Sequence, residues 1–440
     1  MGHLTPRTHH RLQRRLDQPP QGAPASETLS SILEVFFTEE EAQVVSLLPI
    51  DIFTLDRAAG LLKRSNTETK MILDTLADKG LLVDLAIGST QAYMTPFTFA
   101  GFFEFSLMRL DERFDKRLLS ALYYQYFNVE DAFVRTIFSL EPAIYRTLVQ
   151  EAAIDERDRA VVLDYERASH LIETATCITL GTCYCRHKMQ HMGKACHSPQ
   201  DVCLTLNGVA ESLSKHRIAR QIDRAEAHKV LDQCIRLGLV QLGDNVQDGV
   251  NFICNCCSCC CEPLLAYRRL GYNARVTTNF VSIYTKDRCN ACGACADKCP
   301  VEAIIVERDA EGKDQPVVDD SRCIGCGVCV RFCQTGCLAL ARRKETAFVP
   351  KDTFERVLLS AVDTGKLQNF LFDNYPLLTR DVMRRFLGVF LSLPPVKKLL
   401  VQRQVRSRFL AAITKTDHYA LFDTLYNQGR KPDYSHPELE

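Results

Sequence analysis

Eight of the 21 cysteines in this 440-residue chain fall in two runs, CNACGACADKCP from Cys289 and CIGCGVCVRFCQ from Cys323. Each run is spaced C-x2-C-x2-C-x3-C, and the first ends in Pro300. Three thiolates at successive gaps of two can hold one face of a four-iron, four-sulfide cube, and a fourth can reach beyond it. Gly293, Ala294, Gly325 and Gly327 lie between the cysteines, where small residues let the backbone curl so that its N–H groups point at sulfur. A zinc ribbon wants two C-x2-C knuckles separated by roughly fifteen to twenty residues, which is a different pattern. Disulfides would need an oxidising compartment.

From Thr278 to Arg343 the chain resembles the two-cluster bacterial ferredoxin domain. That resemblance implies one [4Fe-4S] cluster on Cys289, Cys292, Cys295 and Cys333, and a second on Cys323, Cys326, Cys329 and Cys299. Gln334 departs from the pattern, standing where a second Pro usually follows the last cysteine.

A second set of cysteines follows no such rule. Cys183, Cys185, Cys196 and Cys203 are spaced C-x-C-x10-C-x6-C, and four thiolates in so short a loop could close one more [4Fe-4S] cluster or a structural zinc site. Arg186, His187, Lys188 and Lys194 would offset its charge, with His187, His191 and His197 expected as surface or supporting residues. Further on, FICNCCSCCCEPL holds six cysteines in the eight residues from Cys254 to Cys261. Packed cores take their volume from Leu and Val, so this density points to metal. Some of Cys256, Cys257, Cys259, Cys260 and Cys261 are expected to join the Cys183–Cys203 group around one or two further centres. Cys234, inside a helical pattern, reads as a small buried hydrophobe.

These sites need elements to position them. Thr38 before EEEAQVVSLL, with Glu41 three residues on, and Thr54 before LDRAAGLLKR read as helix N-caps. TETKMILDTLADK is a third helix closed by Gly80, and LLVDLAIGSTQAYMTPF alternates around Gly88-Ser89 as a hairpin. The order resembles a winged helix-turn-helix domain. Its third helix carries Glu68, Asp74 and Asp78 against Lys70 and Lys79, a balance that opposes phosphate contact and favours packing or docking over DNA. Residues 102–150 repeat aromatics at helical spacing, and Tyr123, Tyr124, Tyr126 and Phe127 read as core. A helix from Tyr165 to Ala175 leads through the strand CITL into the first cysteines. DRAEAHKVLDQCIRLGLVQL repeats the helix–Gly–strand theme and suggests a second winged-helix-like unit.

Hydrophobic residues make up 46% of the chain, enough for two to four cores, and Lys plus Arg equals Asp plus Glu at 54 each. No global field draws the chain to nucleic acid or anionic lipid. Residues 1–27 are polar and basic and read as a disordered tail, since no apolar segment follows Arg14-Arg15. FLGVFLSL at 386–393 is far short of the roughly twenty residues that span a bilayer. Four helices are expected over 351–428. The last bears Lys397, Lys398, Arg403, Arg406 and Arg408 beside Leu399, Leu400, Val405, Phe409 and Leu410, a basic amphipathic face open to peripheral membrane contact or simply solvated.

The fold class expected is α+β, mainly helical. Its parts are a tail (1–27), a winged-helix-like domain (28–100), a helical region (101–176), a cysteine-rich module (177–277), a two-cluster ferredoxin-like domain (278–345), a helical C-terminal region (346–430) and a tail (431–440). Over 28–345 the succession C-x-CR…C…C, GLV helix, NCCxCCC and paired cluster runs is similar to a family of [4Fe-4S] binding proteins of anaerobic bacteria. The likeness implies cytoplasmic electron transfer, and a redox partner such as a flavoprotein, dehydrogenase or hydrogenase subunit is expected beside it. An iron–sulfur redox sensor that binds DNA, and a reductase whose active cluster lies in the middle module, are the competing expectations. No strand leads into G-x-G-x-x-G, so a dinucleotide or flavin would sit on a partner.

Overall fold

The computed structural model describes residues 7–371 and 373, apart from 88–89, 97, 99–100, 271–275, 286–287, 309–311 and 313. The expected helices beyond residue 373, FLGVFLSL, the basic amphipathic helix and the Gly88-Ser89 turn lie outside the described residues.

The N-terminal caps act as their sequences imply. Thr38 and Glu41 form a reciprocal capping box on the helix Glu39–Leu47, Thr54 caps Leu55–Leu62, and Ser65 with Glu68 caps Asn66–Asp78. Gly80 sits at φ 77°, the left-handed conformation that ends the last of these helices while Leu81 N–H donates to Leu76 O. Strands β1 (Ile52–Thr54), β2 (Val83–Ile87) and β3 (Thr90–Met94) form an antiparallel sheet in the order β1-β3-β2. One expectation fails here. Residues 7–16, placed in a disordered tail, form a helix that buries Leu12 and Leu16. Buried Arg15 anchors it through an ion pair of 2.6 Å with Asp373, a partner 358 residues away that local pattern does not announce.

Short helices over Phe102–Met108, Lys116–Tyr124 and Ala132–Phe138 follow, the last two joined by a π-helical turn at Gln125–Val129. Tyr123, Tyr126 and Phe127 are core as expected, while Tyr124 is half-buried under Lys194: Phe103 packs edge-on to Tyr123 at 5.2 Å and Phe127 at 5.5 Å, and Tyr126 stacks on Phe133 at 4.7 Å. Such pairs add roughly 0.5–1.5 kcal/mol each beyond area burial.

Among the described residues the largest sheet has seven strands: β4 (Tyr145–Thr147), β5 (Ile178–Thr182), β6 (Asp201–Leu206), β7 (Arg220–Gln221), β8 (Val240–Asp244), β9 (Phe252–Cys256) and β10 (Val276–Thr277). Their order is β10-β4-β8-β9-β6-β5-β7. Two boundaries move as a result. Residues 101–176 are not a separate helical region, because β4 pairs with β8 inside this sheet. The helix Arg224–Arg236 and the strand after it are not a second winged unit, because β8 lies between β4 and β9. Helix–Gly–strand is a local motif, and only long-range pairing decides which sheet receives the strand.

The second half of the cysteine pattern is built on β11 (Phe280–Tyr284), β12 (Ile304–Arg308), β13 (Asp314–Val318) and β14 (Leu338–Arg342), paired antiparallel as β11-β14 and β12-β13. Single-turn helices Ala294–Asp297 and Val328–Arg331 stand beside them. This unit docks on segments that flank the large sheet: Asp155 N–H donates to Leu340 O at 2.9 Å, and Tyr267 Oη on the helix Glu262–Arg269 donates to Arg322 O at 3.0 Å. Among the described residues no helix is long and apolar enough to cross a membrane.

Candidate metal centres

The two C-x2-C-x2-C-x3-C runs adopt matching backbones. Gly293 (φ 74°) and Gly327 (φ 75°) open their one-turn helices in the left-handed region, where a side chain is disfavoured. At Gly327 an added Cβ would also stand 2.9 Å from Ala153 Cβ, so glycine lets the second run approach the helical turn Glu151–Ala153. Backbone N–H groups already face sulfur: Ala291 to Cys289 Sγ at 3.3 Å, Ala303 to Cys299 Sγ at 3.2 Å and Ser282 to Cys323 Sγ at 3.5 Å. A cube's anionic sulfurs take such bonds, so donor set and backbone both fit an iron–sulfur cluster. Cys299 of the first run lies among Cys323, Cys326 and Cys329 of the second, whose thiols burial holds above their ordinary range. Cys333 packs with Cys289 and Cys295 around one small core that Cys299 and Cys329 also reach, and Cys292 lies near Cys295. A ninth sulfur, Cys337, touches Cys333 at 3.4 Å; it lies one step past the spacing pattern, which is why the pattern passes over it.

The middle cysteines divide differently from the sequence expectation. Cys183, Cys185, Cys196 and Cys203 do not meet at one point. The helix Tyr184–His191 carries the chain away, so Cys196 joins Cys257, Cys259 and Cys260 instead, all four sulfurs within 4.8 Å of one another. Cys259–Cys260 and Cys259–Cys257 stand at 3.3 and 3.6 Å. The Cys260 thiol and then the Arg186 charge hold Cys257 well below the usual thiol range, at about 4, against the effect of burial.

Cys183, Cys185 and Cys203 belong to a separate inner set. Strand alternation puts Cys254 and Cys256 on one face of β9. The β6–β9 ladder pairs Leu204 with Ile253, so one step along it Cys203 faces Cys254. Cys183 and Cys261 occupy the N-cap positions of Tyr184–His191 and Glu262–Arg269. Thiol contacts run Cys183–Cys185–Cys261–Cys256–Cys254–Cys203, a continuous arc lining a small cavity of about 30 Å3. Glu104, from the helix Phe102–Met108, closes the far end within 4.8 Å of Cys203 and Cys254. Burial, with the nearby Cys183 and Asp244, pushes its carboxyl up to about 8.

Two devices hold this arrangement. Buried Lys188 and Glu262 form an ion pair that ties the two capped helices together, and Asn128 Nδ2 donates to Glu262 Oε2 at 2.9 Å. Arg186 is buried between the two thiol groups and donates to Pro199 O and Asn255 O; the negative potential of Cys183 and Cys257 raises its pKa although burial opposes it. Of the histidines, His187 is buried against Leu107 O at 2.7 Å and His197 is exposed; neither metal-capable group among the described residues contains a histidine. Lys194 lies over the Tyr124 ring rather than near sulfur. Cys177 joins neither group, and Cys234 is fully buried in apolar core as expected. Glu104 was passed over because a lone acid in FFEFSLM reads as part of a packed helix.

A family described as a 4Fe-4S dicluster domain matches residues 288–337. This stretch is a ferredoxin-type iron–sulfur domain, and with the clustered cysteines it supports an electron-transfer role. No curated protein matches the chain. No solved structure matches it.

Proposed function

We propose that the chain relays single electrons through two [4Fe-4S] clusters to or from a further metal centre in the cysteine-rich module, as a component of a cytoplasmic redox complex. In this reading Cys289, Cys292, Cys295 and Cys333 hold one cube and Cys323, Cys326, Cys329 and Cys299 the other. The clusters would supply the one-electron chemistry; the chain supplies thiolates, N–H donors and burial that set potential.

One observation carries the direction of the relay. Cys292 is exposed, whereas Cys326 is buried, and the helix capped by Cys261 meets the second run where Tyr267 Oη donates to Arg322 O, next to Cys323. In this reading electrons enter at the first run and pass inward from the second. Ile305, Val306 and Val317 are exposed on the hairpin that follows the first run, a surface suited to a redox partner such as a flavoprotein or dehydrogenase subunit. The N-terminal helices and hairpin fit a winged-helix-like docking unit, and two carboxylates on its third helix are engaged within the protein, Asp74 by Lys70 and Tyr93 and Asp78 by Arg113. Phosphate binding gains nothing from that face.

The test is anaerobic reduction of the whole chain by a reduced flavodoxin-type donor, followed optically. Cys292→Ser should slow electron entry several-fold or more, and Cys326→Ser should leave entry intact while blocking passage inward. Equal loss of entry in both variants would remove the direction.

A further inference from the structure

The four-thiol group and the six-thiol arc differ in a way that assigns them different metals. The four sulfurs of Cys196, Cys257, Cys259 and Cys260 close on one point. Tetrahedral ligation at about 2.3 Å per bond sets neighbouring sulfurs about 3.8 Å apart, the spacing of a single zinc-type ion. The corners of a cube hold their thiolates farther apart. The protein supplies its own comparison: among the described residues, no three cysteines of the 288–337 domain come within 4.8 Å of one another.

The inner arc has the opposite character. Six thiols touch in sequence, yet no three of them gather within 4.8 Å, and the tight group there is Glu104, Cys203 and Cys254. Six thiolates exceed the four of one tetrahedral ion, and they line a wall instead of enclosing a point. The carboxylate comes from a helix that reaches the arc because Gly181 leaves room; a Cβ there would stand 2.6 Å from Met108 Cε. Glu104 and Cys203 also line a second, larger cavity of about 70 Å3, mostly apolar, with Thr205, Asn251 and the Asp244–Arg356 pair on its wall. Convergent polar groups in an apolar cavity are the usual form of a small-molecule site.

We propose that the six-thiol chamber of Cys183, Cys185, Cys203, Cys254, Cys256 and Cys261 holds the redox centre of the middle module, an iron–sulfur cluster with Glu104 as its non-thiolate ligand on the side open to the second cavity. The four-thiol group holds a single structural ion. The carboxylate is the hard, replaceable member of an otherwise soft donor set, so the face it covers is where a small ligand from the second cavity would reach metal. This rests on the relay reading for the chamber's electron supply, but not for its occupancy.

Iron, zinc and acid-labile sulfide are counted on the whole chain isolated without air, with electron paramagnetic resonance after dithionite reduction. The wild type should carry iron beyond the about eight of two cubes, plus about one zinc. Cys259→Ser with Cys260→Ser should lose the zinc and keep all iron. Cys254→Ser with Cys256→Ser should lose only the extra iron, and the retained zinc and cube signals show that the chain has folded. Glu104→Gln should keep the iron, shift the extra signal, and leave the two cube signals unchanged; added cyanide should perturb that signal in the variant more than in the wild type. Three results overturn the assignment: an extra signal identical in Glu104→Gln, loss of about four irons in Cys259→Ser with Cys260→Ser, or a wild type with about eight irons that all vanish when the 288–337 cysteines are replaced. The last leaves the two cubes of the relay standing and removes only its further centre.

Discussion

The ferredoxin-type stretch and the cysteine-rich module solve one problem, the gathering of thiols, by different routes. In the first, eight cysteines lie within 45 residues, positive-φ glycines bend each run, and ligand spacing is local. In the second, thiols arrive from two sheet strands, two helix N-caps and a first helical turn, with a carboxylate from a helix 79 residues before the first of them. A locally encoded site survives damage to the rest of the fold. A site assembled by strand register and helix docking depends on everything that fixes those elements.

That contrast is open to attack through the supports of the middle module. The largest effect is expected at Lys188, whose removal leaves Glu262 buried and uncompensated. Lys188→Ala should cost about 3–5 kcal/mol, read as a lower denaturation midpoint, with loss of the middle-module metal before the cube absorption. Replacing both partners, Lys188→Met with Glu262→Leu, should recover most of that stability, since an apolar pair of similar volume is often neutral. No recovery would show that the pair does more than fix the two helices.

A smaller effect is expected at Asp84, which accepts from Ser212 Oγ at 2.6 Å and pairs with His216 Nε2 at 3.0 Å and with Lys215, tying β2 to the helix Asn207–Lys215. Burial opposes ionisation, but the bonds from His216, Lys215 and Ser212 outweigh it and hold the carboxyl far below the usual carboxylate range. A depressed folded value stabilises the protein above the unfolded value of about 3.9, and the contribution is lost as pH falls through the folded value. Asp84→Asn should therefore cost about 2 kcal/mol at pH 7, less than a fully buried pair because Lys215 is exposed. The gap between variant and wild type should shrink below about pH 4. A gap independent of pH would assign the effect to packing.

Gly181→Ala should cost about 1 kcal/mol, since the flexible end of Met108 can yield. It should disturb the middle-module signal through the helix that carries Glu104 and leave the cube signals alone. Smallest is Cys337→Ala. It removes a sulfur 3.4 Å from Cys333, so it should shift the potential of the first cluster with no loss of iron. Loss of iron would make Cys337 a ligand.

Legibility followed the same division. The paired runs, the caps at Thr38 and Thr54, the Gly80 stop and the aromatic core of 102–138 are governed by neighbours within a few residues, and spacing showed them. The burial of residues 7–16 was hidden because it depends on Asp373, and β4 was hidden because three residues carry no period. The partition of the middle cysteines could not be read from gaps. Whether Cys196 or Cys254 faces Cys203 depends on the β6–β9 register, which lies in pairing 50 residues apart. Alternation of Cys254 and Cys256 around Asn255 was the one local sign that those two share a face.

The proposed relay runs from two cubes within 288–337 toward the middle thiols. The most direct measurement is low-temperature electron paramagnetic resonance of the whole chain, isolated without air and reduced with dithionite. Two neighbouring reduced cubes predict a signal broadened by their mutual interaction, which simplifies to that of one isolated cube in Cys323→Ser. A colourless protein with no paramagnetic signal and several zinc ions would contradict the account.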